Sequence, residues 1–133
     1  MFHLIKILSG RIGVPEPERI ALESEVTVKY GTPVIIKDGA LEAASATSTA
    51  LPTHLILKDS AGKEILACRI SPEMIFEVPA AAAPTAMKVG SEYLLGANGT
   101  VSATAVSSGK RGAVLVDKSG AKEAGDNLLV CFR

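Results

Sequence analysis

The feature of this 133-residue chain that most constrains its fold is a regular succession of short, apolar, β-type segments separated by turn residues. No stretch keeps the 3.6-residue periodicity of an amphipathic helix over three turns. Two of the separators, Asp38-Gly39 and Asn98-Gly99, are residue pairs that tolerate positive φ and close tight hairpins. The pattern therefore predicts an all-β protein, built as a small β-sandwich or barrel from two hairpin-rich halves.

The positions of the apolar segments predict where the strands lie. We expect strands at residues 2–8, 25–29, 33–37, 41–44, 54–57, 64–70, 74–78, 92–95, 101–104, 113–117 and 127–132. Two segments rich in glycine, proline or alanine, residues 10–18 and 79–84, interrupt the series and are predicted to be connections.

The length of the chain is that of one domain with a sizeable core. We predict an N-terminal arm or strand at residues 1–18, followed by a single β domain at residues 19–133 with halves at about 26–78 and 89–132.

The two halves show the same order of signals: a strand, a hairpin turn, a stretch rich in alanine, serine and threonine, an apolar strand, and a closing strand with a cysteine. This order indicates a degenerate internal duplication. Any small protein built from hairpins can show a similar order of signals without a duplication, so both interpretations stay open.

The N-terminal segment has a composition of its own. Its apolar residues Phe2, Leu4, Ile5, Ile7 and Leu8 are too numerous for a solvated tail, and the following glycines and prolines separate them from the rest of the chain. We expect residues 1–8 to be an extended attachment strand that adds to the sheet edge of a partner protein or of a neighbouring copy. Pairing within the same subunit is the alternative. His3 and Lys6 interrupt the apolar run and no small-residue cleavage site follows it, so we expect neither a signal peptide nor a membrane span.

The charge balance bears on possible partners. Lysine plus arginine and aspartate plus glutamate are both 14, which gives a net charge of zero. A neutral chain has no field that attracts nucleic acid or an anionic membrane, so neither partner is expected. A net charge near zero also favours association with other protein surfaces.

No group of residues has the pattern of a catalytic or metal site. The histidines are His3 and His54. His54 would approach Cys68 if their strands pair, as a base beside a nucleophile, but a half-exposed histidine at a strand entrance is the favoured interpretation. No His, Cys, Asp or Glu cluster has the spacing of metal ligands. We therefore expect a protein that is not an enzyme and has no cofactor. Cys68 and Cys131 lie in apolar strands and are predicted to be free and buried.

The segment Gly109-Lys110-Arg111-Gly112 offers basic residues but lacks the remaining pattern of a phosphate-binding loop. We predict an exposed hairpin loop in which Lys110 and Arg111 are candidate rim contacts to an acidic patch on a partner. Tryptophan is absent and aromatic residues are 4% of the chain, which leaves little stacking surface for a sugar.

Several segments together resemble the tailed-phage capsid decoration proteins, also called head stabilisation or cement proteins. The segments are the run from Glu18 through Gly31-Thr32-Pro33-Val34, then Asp38-Gly39, Pro52-Thr53-His54, residues 69–78 and residues 124–130. The resemblance covers most of the chain after about residue 15.

The resemblance implies a small β-rich structural protein of the virion, made in the bacterial host cytoplasm, that binds the outer capsid surface and stabilises the shell. Its partners would be the major capsid protein and further copies of itself, often as a trimer, and residues 1–18 would correspond to an arm that orders on the capsid. A tail, baseplate or fibre-associated β-sandwich and a carbohydrate-binding β module are the alternatives.

Overall fold

The computed structural model describes residues 1–7 and 16–133 of the chain, and every regular element in these ranges is a β-strand. The strands are β1 His3–Ile7, β2 Glu18–Val28, β3 Pro33–Lys37, β4 Ala40–Ala43, β5 His54–Ile56, β6 Ser60–Arg69, β7 Met74–Pro79, β8 Glu92–Leu95, β9 Val101–Ala105, β10 Ala113–Asp117 and β11 Asn127–Cys131. The all-β prediction is confirmed.

Each predicted strand is present, and the largest difference in bounds concerns β2. This strand begins at Glu18, whereas the prediction started it at residue 25 and assigned residues 10–18 to a connection. The half-buried Ile20 and buried Leu22 alternate with the exposed Arg19, Ala21 and Glu23. This is the two-residue period of a strand with one buried face, and the charged residues on its outer face obscured it. Of the predicted connection, residues 10–15 lie outside the described residues.

The strands form two sheets in which all strand pairs are antiparallel. The six-stranded sheet has the order β1-β7-β11-β10-β8-β9, and the five-stranded sheet has the order β2-β6-β5-β3-β4. Both predicted hairpins are present, as β3–β4 and β8–β9. Their turns contain Asp38 at φ 51° with Gly39 at 77°, and Asn98 at φ 56° with Gly99 at 70°. These are left-handed conformations that such residue pairs adopt at low cost.

One strand order occurs twice in the molecule. Five consecutive strands, β2 to β6, build the five-stranded sheet, and the next five, β7 to β11, lie in the corresponding order in the six-stranded sheet, to which β1 is an addition. The register agrees as well, because Leu55 pairs with Cys68 in one sheet and Val114 pairs with Cys131 in the other. The repeated topology supports the internal duplication. It also moves the boundary between the units, since β7 belongs to the second unit rather than to the first half.

The main core lies between the two sheets and receives residues from both halves. Phe76, Val78 and Leu128 of the six-stranded sheet are buried together with Leu55 and Cys68 of the five-stranded sheet. A second buried cluster, which contains Val34, Ile56, Ile65 and Ala67, lies on the other face of the five-stranded sheet. That sheet curls on itself, since the amide of Glu23 in β2 donates to the carbonyl of Gly39 in the β3–β4 turn at 3.0 Å. The five-stranded sheet therefore has a separate buried cluster on each of its two faces.

The N-terminal strand belongs to the fold of its own chain. β1 pairs with β7, with Leu4 opposite Phe76. Phe2 is 1% exposed, and its ring centroid lies 6.4 Å from that of Phe76 and 5.5 Å from that of Phe132. The expected attachment strand that stands apart from the fold is therefore wrong, and the alternative of pairing within the subunit holds. The physical reason is that β1 covers the open edge of β7 while Phe2, directly before β1, completes the core.

Candidate functional site

A groove of about 450 Å³ lies where the start of β1 meets connections from both units. It is lined by Met1 and Phe2, by residues 29–33 between β2 and β3, by residues 43–45 after β4, and by residues 95–100 around the β8–β9 turn. We call this feature the N-terminal groove. Its parts come from segments that are far apart in the sequence, so its shape depends on how Met1 and Phe2, just before β1, pack against both units.

Backbone hydrogen bonds and two glycines hold β1 in this place. The amide of Phe2 donates to the carbonyl of Gly31 at 3.0 Å, and the amine of Met1 donates to the carbonyl of Gly99. Gly31 has φ of 76°, and a Cβ added to it would lie 2.2 Å from Met1 Cγ. Gly99 has φ of 70°, and a Cβ added to it would lie 2.6 Å from Met1 N. Gly99 therefore requires glycine for the close approach of the Met1 backbone as well as for its own conformation. At Gly31 the positive φ is the stronger reason, because the nearby Met1 side chain is flexible.

The N-terminal groove carries little net charge. Its lysine, Lys29, lies 3.7 Å from the Asp59 carboxylate, which also accepts the amide hydrogen of Tyr30 at 2.7 Å. Burial lowers the pKa of the Met1 amine, since a partly desolvated ammonium group is disfavoured. A site of this kind suits an uncharged apolar group rather than an anion.

Two exposed apolar side chains line the groove. Met1 is 43% exposed and Tyr30 38%. The phenol oxygen of Tyr30 lies 3.4 Å from His3 Nδ1, so Tyr30 stands beside the outward-facing side of β1. Sequence reasoning missed Met1 and Tyr30. The available signal was an aromatic residue directly before the turn glycine Gly31, but nothing local indicates that β1 lies beside it.

The structure separates the apolar residues that were predicted to contact a partner. Phe2 is in the core, which corrects its assignment as a contact, and Leu4 is half-buried against the core. Ile5 is exposed. The side chain of Ile7 and the whole of Leu8 lie outside the described residues. Of this set, Ile5 is the residue that the structure shows on the surface.

The basic loop also differs from its prediction. Arg111 donates from Nε to Glu92 Oε1 at 3.0 Å and from a terminal nitrogen to the Arg133 carbonyl at 2.8 Å, while the same Glu92 oxygen accepts from Gly112 N at 2.7 Å. Arg111 is therefore not a free rim contact, because its guanidinium holds the loop and the C-terminal residue against β8. Lys110 is half-buried.

His54 and Cys68 do not form a dyad. His54 is opposite Arg69 in the β5–β6 ladder, whereas Cys68 is opposite Leu55, the neighbour of His54. Since successive strand residues face opposite sides of a sheet, the two side chains lie on different faces. His54 is 6% exposed, so it is buried rather than half-exposed as expected, and its Nδ1 lies 2.8 Å from Thr53 Oγ1.

Both cysteines are free and buried, as predicted. Burial raises the pKa of the Cys68 and Cys131 thiols, which keeps the reactive thiolate scarce at neutral pH. Within the described ranges no cluster of three or more His, Cys, Asp or Glu side chains is placed to hold a metal ion. Nor does any helix there have the length and apolar character to cross a membrane.

The buried histidine gives a prediction about pH. Desolvation and the nearby Arg69 guanidinium lower the pKa of His54, with Glu18 opposing them. The unfolded chain then binds this proton at a higher pH than the folded chain does. We therefore expect stability to be complete above about pH 6.5 and to decrease as the pH falls from there toward the folded pKa. Urea unfolding at a series of pH values measures this decrease.

The matched control for that prediction uses the other histidine. His54→Gln should flatten the pH dependence between about pH 7 and 5, a range set by the ordinary pKa of histidine, and His3→Gln should leave it unchanged. An unaltered slope in His54→Gln would show that another group causes the decrease.

Comparison with known proteins bears on the fold. No family model matches the chain, and no curated protein matches it. Among solved structures it is similar to the N base of the head fibre gp8.5 of bacteriophage phi29, with a TM-score of 0.50. The sequences are 16% identical, and the likeness covers 90% of this chain and 95% of the other. The likeness shows a shared all-β fold across nearly the whole length of both chains.

Proposed function

We propose that this chain is a non-enzymatic structural protein of a tailed-phage virion that binds the outer surface of the capsid shell and stabilises it. The observation that carries the proposal is the fold likeness to the base of a phage head fibre over 90% of the chain. The resemblance of segments between Glu18 and Val130 to capsid decoration proteins supports the same place in the virion.

Features of the molecule agree with a binding role. Three buried clusters and closely packed strand pairs make a rigid body, and the described residues contain no buried side-chain polar atom without a hydrogen-bond partner. A decoration protein uses such a body as a clamp, and several capsid subunits bound at once supply avidity even when each contact is weak.

A second candidate is the base module of a head fibre, because the structural neighbour is such a module. The two roles differ in what the chain carries rather than in where it sits. A decoration protein is itself the stabilising element, whereas a fibre base serves to hold another segment outward. The carbohydrate-binding alternative has no comparable support, since Tyr30 alone of the five Phe and Tyr residues is among the exposed large apolar side chains.

Binding to isolated shells tests the proposal. Particles that lack the protein, prepared from a phage carrying its gene deletion, should bind the purified chain with saturable stoichiometry and then release DNA at a higher temperature. Cryo-electron microscopy of the same particles should show added density on the outer shell. A heat-unfolded sample of the chain is the control.

The outcomes separate the candidates. Surface density with unchanged heat resistance would favour the fibre base over the stabilising role. Absence of binding to shells, or density confined to the tail, would contradict both.

A further inference from the structure

One long segment of the chain is nearly free of charge. Residues 79–109 contain two charged residues among 31, Lys88 and Glu92, whereas 21% of the whole chain is charged. The Glu92 carboxylate already accepts from Arg111 Nε at 3.0 Å and from the amide of Gly112 at 2.7 Å. The surface that this segment forms therefore offers almost no charge to a partner.

Part of this segment is the connection between β7 and β8, residues 80–91. The corresponding connection of the first unit, between β2 and β3, has only residues 29–32. The longer connection is anchored by the buried Pro84 and Met87, and it exposes three consecutive alanines at residues 81–83. Since loops rather than strands usually carry binding residues, the lengthened connection is a candidate binding surface.

The edge strand β9 continues the same surface. The amide of Ala81 donates to the Val101 carbonyl at 2.8 Å, next to a parallel bridge between the two segments. Two segments joined by a parallel bridge run in the same direction, so residues 81–83 lie beside the start of β9. This strand exposes Ala103, Thr104 and Ala105 in succession. We call residues 81–83 and 103–105 the alanine face.

The alanine face suits packing against a flat surface rather than the addition of a strand. The register of the β8–β9 pair shifts between Tyr93 and Leu95, and the amide of Thr104 donates to Ser102 Oγ at 3.1 Å. A bulged edge of this kind resists pairing with a further strand. Burial of an alanine costs no side-chain entropy, so a face of small residues gains from close packing alone.

We propose that the alanine face is the surface with which this chain binds the capsid shell, and that it packs there against an uncharged protein surface. The inference rests on the proposed function. Depletion of charged residues is the compositional signal of the buried centre of a protein interface. The same lack of charge disfavours nucleic acid and anionic lipid as occupants, because cationic side chains bind both.

Charge placed on the alanine face tests the inference. Ala82→Glu and Thr104→Glu should each raise the Kd for shells that lack the protein roughly tenfold or more, because an unpaired charge becomes buried in the interface. Ala40→Glu is the matched control, since it lies exposed opposite Lys37 in β4, the counterpart of β9 in the first unit. It should bind as the wild type does. Circular dichroism verifies that every variant is folded.

Thiol labelling locates the contact independently of charge. Cys68 and Cys131 are buried, so a cysteine introduced on the surface reacts far faster than they do. Ala82→Cys should react with a maleimide in the free chain and be protected when the chain is bound to shells. Ala40→Cys should react in both states. The mass of the recovered chain reports the labelling.

The outcomes separate this inference from the proposed function. If the wild type binds shells and the Ala82→Glu and Thr104→Glu variants bind equally well, the alanine face is not the contact, while the proposed function stands. Full labelling of Ala82→Cys on bound shells would lead to the same conclusion. If the charged variants lose self-association in light scattering but keep shell binding, a second copy covers the face and the inference is wrong. Absence of wild-type binding would contradict the proposed function and overturn this inference with it.

Discussion

Replacing Phe2 with alanine should lower the free energy of unfolding by about 3–5 kcal/mol, the usual range for an aromatic side chain removed from a packed core. Phe2 is 1% exposed and contacts the rings of Phe76 and Phe132, which also pack on each other at 5.6 Å between centroids. Truncation at this position leaves a cavity beside the two remaining rings and loosens β1 from β7. Equilibrium unfolding in urea, followed by circular dichroism, measures the change.

Ile5→Ala in β1, three residues after Phe2, is the matched control for Phe2→Ala. Ile5 is 50% exposed, so its truncation should cost less than about 1 kcal/mol, as surface substitutions usually do. If Phe2→Ala is as stable as the wild type, β1 is not part of the folded core in solution. The N-terminal segment would then be available as an attachment strand after all.

Gly112→Ala should be the most damaging glycine substitution of the basic loop, with a loss of about 3 kcal/mol or more. A Cβ on Gly112 would lie 1.9 Å from the Tyr93 carbonyl oxygen and 2.8 Å from its carbon. These are backbone atoms of β8, so no side-chain rotation relieves the clash. The loop must move away, which breaks the bonds of Gly112 and Arg111 to Glu92.

Gly109→Ala is the matched control for the Gly112 substitution. Its Cβ would meet no atom within 4 Å, but its φ is 76°. The expected cost is therefore the left-handed backbone conformation alone, about 1–2 kcal/mol. Urea unfolding measures the free energy of unfolding of both variants. It thereby compares the cost of a steric clash at residue 112 with the cost of backbone strain at residue 109. A Gly112→Ala variant no less stable than Gly109→Ala would show that the loop does not approach β8 closely.

Much of the fold follows from local chemistry. The hairpin turns at Asp38-Gly39 and Asn98-Gly99 are fixed by residues that accept positive φ, and the alternation of apolar residues marks the strands on either side. The repeat of these signals also indicated the duplication, which the matching strand orders support. Where local signals conflicted, as in the charged first half of β2, the sequence-based boundary was wrong by seven residues.

The placement of candidate contact residues depended on pairing between distant segments. Arg111 looked like a free surface cation because nothing nearby in sequence pairs with it, whereas Glu92 and the Arg133 carbonyl reach it through the sheet. His54 and Cys68 seemed able to meet, yet the register puts them on opposite faces. A shift of one residue in either strand would reverse that result, and the sequence alone does not set the register.

The sequence by itself determined the all-β class, the hairpins, the neutral surface and the buried free cysteines, because each depends on residue type and short-range spacing. Only the tertiary structure decided that β1 joins β7, that Phe2 completes the aromatic core, and that Met1 and Tyr30 form a groove with residues 95–100. The physical reason is that every strand edge presents the same backbone donors and acceptors. The choice among edges is then made by side chains far apart in the chain, which meet only after the sheets have packed.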